Sequence, residues 1–213
     1  MATLLHLDSS FSGANSTSRK VTAAFVDSWR AAHPDGTVVT RDLAADPIPH
    51  LDAVAHSAAN TPEADHTPEQ AEAWKLSKAL IDEVTSADVI IIGAPMYNFT
   101  IPSTLKAWLD RLAIARFFVN PATGVGELFG TKVIVATARG GSYAPGTPRE
   151  GFEFQESYLR AFFNQIGLDQ DLTFVHTEMT LAHVVPALAQ FKEFAVTSEQ
   201  AARDTARELA TAA

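Results

Sequence analysis

Five serines and one threonine fall within the ten residues from Ser9 to Ser18, and the segment runs directly into a helical pattern. Clustered hydroxyls and unpaired amides at the positive end of a helix dipole favour a bound phosphate dianion, each contribution being ~0.3–1 kcal/mol. A polar turn with an N-cap would account for one or two of these residues, not six. A second run, Ala94-Pro95-Met96-Tyr97-Asn98-Phe99-Thr100-Ile101-Pro102, sets polarizable and aromatic side chains between two backbone-fixing prolines, which suits a planar heteroaromatic ring. Core packing would explain Met96 and Phe99 but not Tyr97 and Asn98. The third run, Ala138-Arg139-Gly140-Gly141-Ser142-Tyr143, offers consecutive glycines after a strand, where backbone N–H groups can approach a ligand edge. Taken alone this dipeptide is a plain turn, and only its position gives it weight.

Other chemistries lack their residues. The serine-rich loop has no closing Gly-Lys-Ser/Thr and no Gly-x-Gly-x-x-Gly, so it is neither a nucleoside-triphosphate loop nor a dinucleotide fingerprint. Gly140-Gly141-Ser142-Tyr143-Ala144 misses the last glycine of a hydrolase elbow. With no cysteine and seven scattered histidines, thiol chemistry, disulfides and a protein-held metal are not expected, so redox activity would need a bound cofactor. A formal charge of −9 without a Lys/Arg stripe argues against nucleic acid. No apolar run approaches the ~20 residues of a membrane span, and Met-Ala-Thr leads into a strand without a basic leader, which points to the cytoplasm.

The elements that must carry these runs alternate between β-branched apolar stretches and helical periodicity, the signature of βαβ units around a parallel sheet. Strands are expected at Thr3–Leu7, Thr37–Leu43, Asp88–Ala94, Lys132–Thr137 and Leu172–Thr177. Between them, helices are read from Val21 through Trp29, from an N-cap at Thr67 through Val84, from Pro102 through Leu112, and over Phe152–Gln165 with Gly167 as its stop. Ala45–Pro68 reads as a proline-punctuated loop, Phe117–Phe129 as an aromatic excursion, and Thr197-x-x-Gln200 as the capping box of a last helix. The expected fold is thus one α/β domain over residues 1–213, a flavodoxin-like doubly wound five-stranded parallel sheet with helices on both faces. Its ligand site should lie beyond the carboxyl ends of the strands, where all three runs fall.

At Ser9, Ser10 and Ser16–Ser18, at Arg41-Asp42-Leu43-Ala44 with Pro47-Ile48-Pro49, at Pro95–Phe99 and at Arg139–Gly141, the chain resembles the FMN-dependent NADH-azoreductase family, relatives of the quinone reductases. The Pro-Met-Tyr-Asn-Phe run is the specific part, and the similarity runs to about Glu178. The resemblance implies a homodimer with an FMN in each of two interface sites. It implies that Ser10, Ser16, Thr17 and Ser18 bind the phosphate, that Pro95, Met96, Tyr97, Asn98 and Phe99 embrace the isoalloxazine, and that Ala138, Arg139, Gly140 and Gly141 meet its pyrimidine edge. NADH or NADPH would deliver hydride and an azo compound or quinone would take it on, with no side chain needed as nucleophile or base. Two departures bear on substrate range: Phe117-Phe118-Val119 and Gly124-Val125-Gly126-Glu127-Leu128 replace family runs expected at the substrate mouth. The alternative is a flavodoxin-type one-electron carrier, whose usual Thr-Gly-x-Thr phosphate loop is missing. A receiver-type signalling domain would need an Asp where Gly93-Ala94-Pro95 stands.

Overall fold

A computed structural model of the chain describes every residue except 115, 116, 121 and 125. Five parallel strands, β1 (Thr3–Asp8), β2 (Thr37–Asp42), β3 (Val89–Pro95), β4 (Lys132–Ala138) and β5 (Leu172–Thr177), form one sheet in the order β2-β1-β3-β4-β5. The helices are α1 (Thr17–Ala32), α2 (Ala53–Ala59), α3 (Pro68–Thr85), α4 (Ser103–Leu112), α5 (Gln155–Ile166) and α6 (Lys192–Thr211). This is the flavodoxin-like α/β architecture that the alternation of strands and helices implies.

Alternation along the strands divides the core into two layers. Leu5, Leu7, Ile90, Ile92, Val133 and Val135 pack with Leu80 and Val84 of α3, Trp108 of α4 and Phe163 of α5. On the opposite face Leu4, Val89, Ile91 and Ile134 pack with Phe25 and Trp29 of α1 and with Ala202, Ala206 and Ala210 of α6. Those alanines recur every four residues, so one narrow face of α6 can sit close against its neighbours. β3, buried at every residue, is the centre of the sheet.

The helix signals hold at two places. Thr67 and Gln70 form a reciprocal capping box at α3, and Gly167 ends α5 in the left-handed conformation at φ 77°. They fail at two others. Ala45–Pro68 is not all loop: Asp52 accepts the Ala55 N–H at 2.8 Å and starts α2, a cap masked by the surrounding prolines. Thr197 lies inside α6, its hydroxyl donating to Glu193 O, so the Thr-x-x-Gln pattern caps nothing.

Candidate functional site

The three runs meet. A crevice of about 610 Å³ opens beyond the carboxyl ends of β1, β3 and β4, lined from the first loop by Ser10, Phe11, Ser12, Asn15, Ser16 and Thr17. Pro95 to Asn98 form a second wall, and Ala138, Gly140, Thr180 and Leu181 complete it. Its position spans β1 and β3, where the direction of strand succession reverses, the place at which open α/β sheets bind ligands.

At the phosphate end Ser16 caps α1, its hydroxyl accepting the Arg19 N–H at 3.3 Å. Among the described residues the N–H groups of Thr17 and Ser18 find no protein acceptor, as expected of a first helical turn, and they form the anion-favouring end of the α1 dipole. The loop is held from behind by Arg19. Its Nη2 and Nε donate to Ser10 O at 2.8 and 3.3 Å, while Nη1 and Nη2 bind both carboxylate oxygens of Asp42 at 2.7 and 2.6 Å. That contact, with the Ala44 and Ala45 N–H groups, holds the Asp42 carboxyl below its usual range. Arg19 also lies 3.6 Å from Asp8, a buried carboxylate that accepts the Thr22 hydroxyl at 3.0 Å. A Cβ on Gly93 would stand 2.4 Å from Asp8 Oδ1, so β3 needs glycine there.

The second run is a strained hairpin. Tyr97 and Thr100 exchange both backbone hydrogen bonds, 2.9 and 3.1 Å, around Asn98 at φ 50° and Phe99 at φ 71°. Two central residues of positive φ make a type I′ turn, which asparagine tolerates and phenylalanine does not favour. Strain of ~1–3 kcal/mol per such residue is held only where surroundings over-determine it. Here they do: the Phe154 N–H donates to Phe99 O at 3.1 Å, and Tyr97 stacks on Phe11 at 4.9 Å while accepting the Phe11 N–H.

In the third run both glycines have ordinary φ and serve close approach instead. A Cβ on Gly140 would meet Leu181 Cδ1 at 2.6 Å, and one on Gly141 would meet Arg149 Cδ at 3.3 Å. Gly140 O and Gly141 O accept the Leu181 and Met179 N–H groups, and among the described residues the glycine N–H groups have no protein acceptor. Arg139 turns inward: its guanidinium is buried among Glu153 at 3.2 Å, Glu156 at 3.5 Å and Glu178 at 3.9 Å. His176 completes this cluster. Burial and nearby Arg139 push its imidazole below the ordinary value against the opposing pull of Glu156, and Nε2 lies 3.1 Å from Glu156 and Nδ1 2.8 Å from the Thr137 hydroxyl.

Of the sequence candidates, Ser10, Ser16, Thr17, Pro95, Met96, Tyr97, Asn98, Ala138 and Gly140 line the crevice, whereas Ser18, Phe99, Arg139 and Gly141 do not. The Ser18 hydroxyl is buried against Ser16 at 3.2 Å, Phe99 turns to Phe152 at 5.3 Å, and Gly141 borders a neighbouring pocket. Phe11, Ser12, Asn15, Thr180 and Leu181 escaped sequence reasoning. An aromatic set among serines was a usable signal for Phe11; nothing marked the pair after β5. Of the departures from the family pattern, Val125 lies outside the described residues. Phe118, Val119 and Gly124 border a hollow at the end of α5 and do not reach the crevice.

A parallel sheet of this order, with a hydroxyl-rich helix start and an aromatic hairpin joined in one crevice at its switch point, defines a flavodoxin-like protein, and the flavodoxin-like fold family matches residues 2–201. An FMN-dependent NADH:quinone oxidoreductase of Parafrankia sp. is 48% identical over 212 residues, 100% of both chains. One from Streptomyces avermitilis is 47% identical, aligning 97% of this chain and 94% of the relative. A solved FMN-dependent NADH-azoreductase of Bacillus anthracis in complex with FMN superposes with a TM-score of 0.80 at 26% identity, over 99% of this chain and 100% of that one. The chain belongs to the family of FMN-dependent NADH:quinone oxidoreductases and azoreductases. Among the described residues no helix is long and apolar enough to cross a membrane, and no three or more His, Asp or Glu side chains are grouped so as to hold a metal ion.

Proposed function

We propose that this protein is an FMN-dependent reductase that takes reducing equivalents from NADH and passes them to quinones or azo compounds. The observation that carries the reading is the single crevice joining a hydroxyl-rich helix start to the Pro95–Asn98 hairpin and the Ala138–Gly140 backbone. Its parts fit FMN: unpaired Thr17 and Ser18 N–H groups and the Ser10 and Ser16 hydroxyls suit one phosphate. Met96, Tyr97 and Asn98 suit the ring, and the Gly140 N–H suits its polar edge. When bound, FMN supplies the hydride chemistry. The chain would supply placement: Arg19 holds the loop that would receive the phosphate, the I′ hairpin would form the ring wall, and donors of the third loop would stabilise negative charge at the ring's polar edge.

One crevice of this size gives donor and acceptor the same place in turn. Double-reciprocal plots against NADH at several fixed quinone concentrations should therefore be parallel, and heat should release FMN from the purified protein. Intersecting plots with negligible turnover would favour a flavodoxin-type electron carrier, and release of FAD would undo the cofactor assignment.

The same reading includes a homodimer. Of the aromatics of the Phe117–Phe129 excursion and α5, Phe117 and Phe163 are fully buried and serve the core, whereas Phe118 and Phe129 are exposed at its far end. Better support stands beside the crevice, where Phe11, Phe99, Phe152 and Phe154 are 61%, 41%, 49% and 54% exposed, apolar surface expected to be covered. A second copy related by a two-fold axis would cover it. Sedimentation should give a dimer, and Phe152→Asp should give a monomer with FMN retained; a wild-type monomer of full activity would refute the assembly.

A further inference from the structure

A second pocket, of about 380 Å³, adjoins the crevice on the far side of the third loop. Its walls are Met179, Leu181, Leu188, Phe191 and Phe194, with Arg149 at its edge. Leu181 and Gly140 belong to both cavities. Three of the wall residues remain open to solvent although apolar: Leu181 is 43% exposed, Phe191 39% and Phe194 51%.

Two features separate this pocket from a chance hollow. The first is how its walls are set: Gly140 and Gly141, neither at positive φ, give up a side chain where Leu181 and Arg149 press onto the backbone. The second is charge. In a chain of 25 acidic and 16 basic residues, Arg149 has no carboxylate within ion-pair distance among the described residues. Nearby acids are already engaged: Glu150 accepts the Gly146 N–H at 2.8 Å, and Glu178 accepts the Ser142 hydroxyl at 2.6 Å and the Tyr143 N–H at 3.2 Å. A mostly apolar pocket of ~300–1,000 Å³ with a few polar groups is the ordinary form of a small-molecule site. The aromatic walls call for a flat apolar body, and an unpaired guanidinium at the rim calls for an anionic substituent, which it can grip with two parallel N–H donors.

We propose that this pocket is a binding site for an aromatic acid, a planar fused-ring carboxylate or sulfonate, distinct from the flavin crevice and sharing Leu181 with it. The rings lie between Phe191, Phe194 and Leu188, and the anionic group meets Arg149. The site does not depend on the reaction assigned to the crevice.

The test is a calorimetric titration of the purified flavin-loaded protein with naphthalene-2-sulfonate, and with 2-naphthol as its neutral counterpart. Saturable binding at one probe per chain is expected, with 2-naphthol about tenfold weaker, the effect of losing one charge-assisted contact. Arg149→Gln should weaken the sulfonate about tenfold and leave 2-naphthol unchanged, while Arg149→Lys should fall between. Leu188→Trp, which fills the pocket, and Phe194→Ser, which removes a wall, should each abolish saturable binding with circular dichroism and FMN content intact. Two variants of opposite steric sense guard against misfolding of one. Non-saturable binding, equal affinity for the two probes, or wild-type affinity in both pocket variants would overturn the proposal. FMN content and turnover of a small neutral quinone, read on the same samples, report on the crevice separately, so either assignment can fail alone.

Discussion

Arg19→Met should lower stability by about 2 kcal/mol and release the flavin on gel filtration. The figure sits below the ~3–5 kcal/mol of a broken buried pair because the Asp42 side chain is 36% exposed and Asp8 keeps the Thr22 hydroxyl. The larger effect falls on binding. Arg19 alone joins the Ser10 carbonyl to β2 through Asp42, so without it the loop meets its ligand from a broader set of conformations. A weakening of at least about tenfold is expected in an FMN titration of refilled apoprotein, together with a lower urea midpoint. Arg19→Lys should recover some stability but little FMN affinity, because an ammonium cannot donate to Ser10 O and both Asp42 oxygens in one planar arrangement. FMN affinity unchanged in Arg19→Met would show that the loop is held by its own turns.

Asn98→Val should slow both half-reactions by about a hundredfold, the scale of a misplacement of ~1 Å at a reacting centre. A β-branched residue at φ 50° is disfavoured, so the chain should abandon the I′ turn, and with it the Tyr97–Thr100 pairing and the contact of Tyr97 with Phe11. Stopped-flow measurement of flavin reduction by NADH and reoxidation by quinone separates the two steps. Asn98→Gly is the informative control, since it keeps the backbone and deletes the amide. Rates close to wild type in Asn98→Gly with slow rates in Asn98→Val would assign the role to backbone shape, whereas equal losses would assign it to the side chain. Unchanged rates in Asn98→Val would mean that the hairpin does not carry the ring.

Nine of the thirteen residues proposed from sequence line the crevice, and at the other four the direction of the side chain is set by packing. Ser18 and Ser16 are two apart on the helix start; both are buried, and only Ser16 borders the crevice, with Ser18 behind it at 3.2 Å. Arg139 stands immediately after β4, its N–H bonded to Thr177 O at 2.8 Å, and its guanidinium enters the carboxylate cluster. Phe99 occupies the second central position of the hairpin and is carried away toward Phe152. The composition of each loop was legible, but the direction of each side chain was not.

By itself the sequence determined what local covalent geometry and periodicity control: alternating strands and helices, hence a parallel sheet, hence three chemically suited loops at one end of it. Tertiary structure decided what depends on residues far apart in the chain. Ser9 is tied to Gly93, Gln155 to Ala94, and Arg139 to Glu178, pairs that no spacing rule connects. The same holds for Thr180 and Leu181, which enter the crevice because the segment after β5 hydrogen-bonds to Arg139 and Gly140. Periodicity records which face of an element is apolar. Only packing sets which partner that face meets and which polar groups are left beside it, and at the ends of these parallel strands those groups include the backbone N–H donors of the first and third loops.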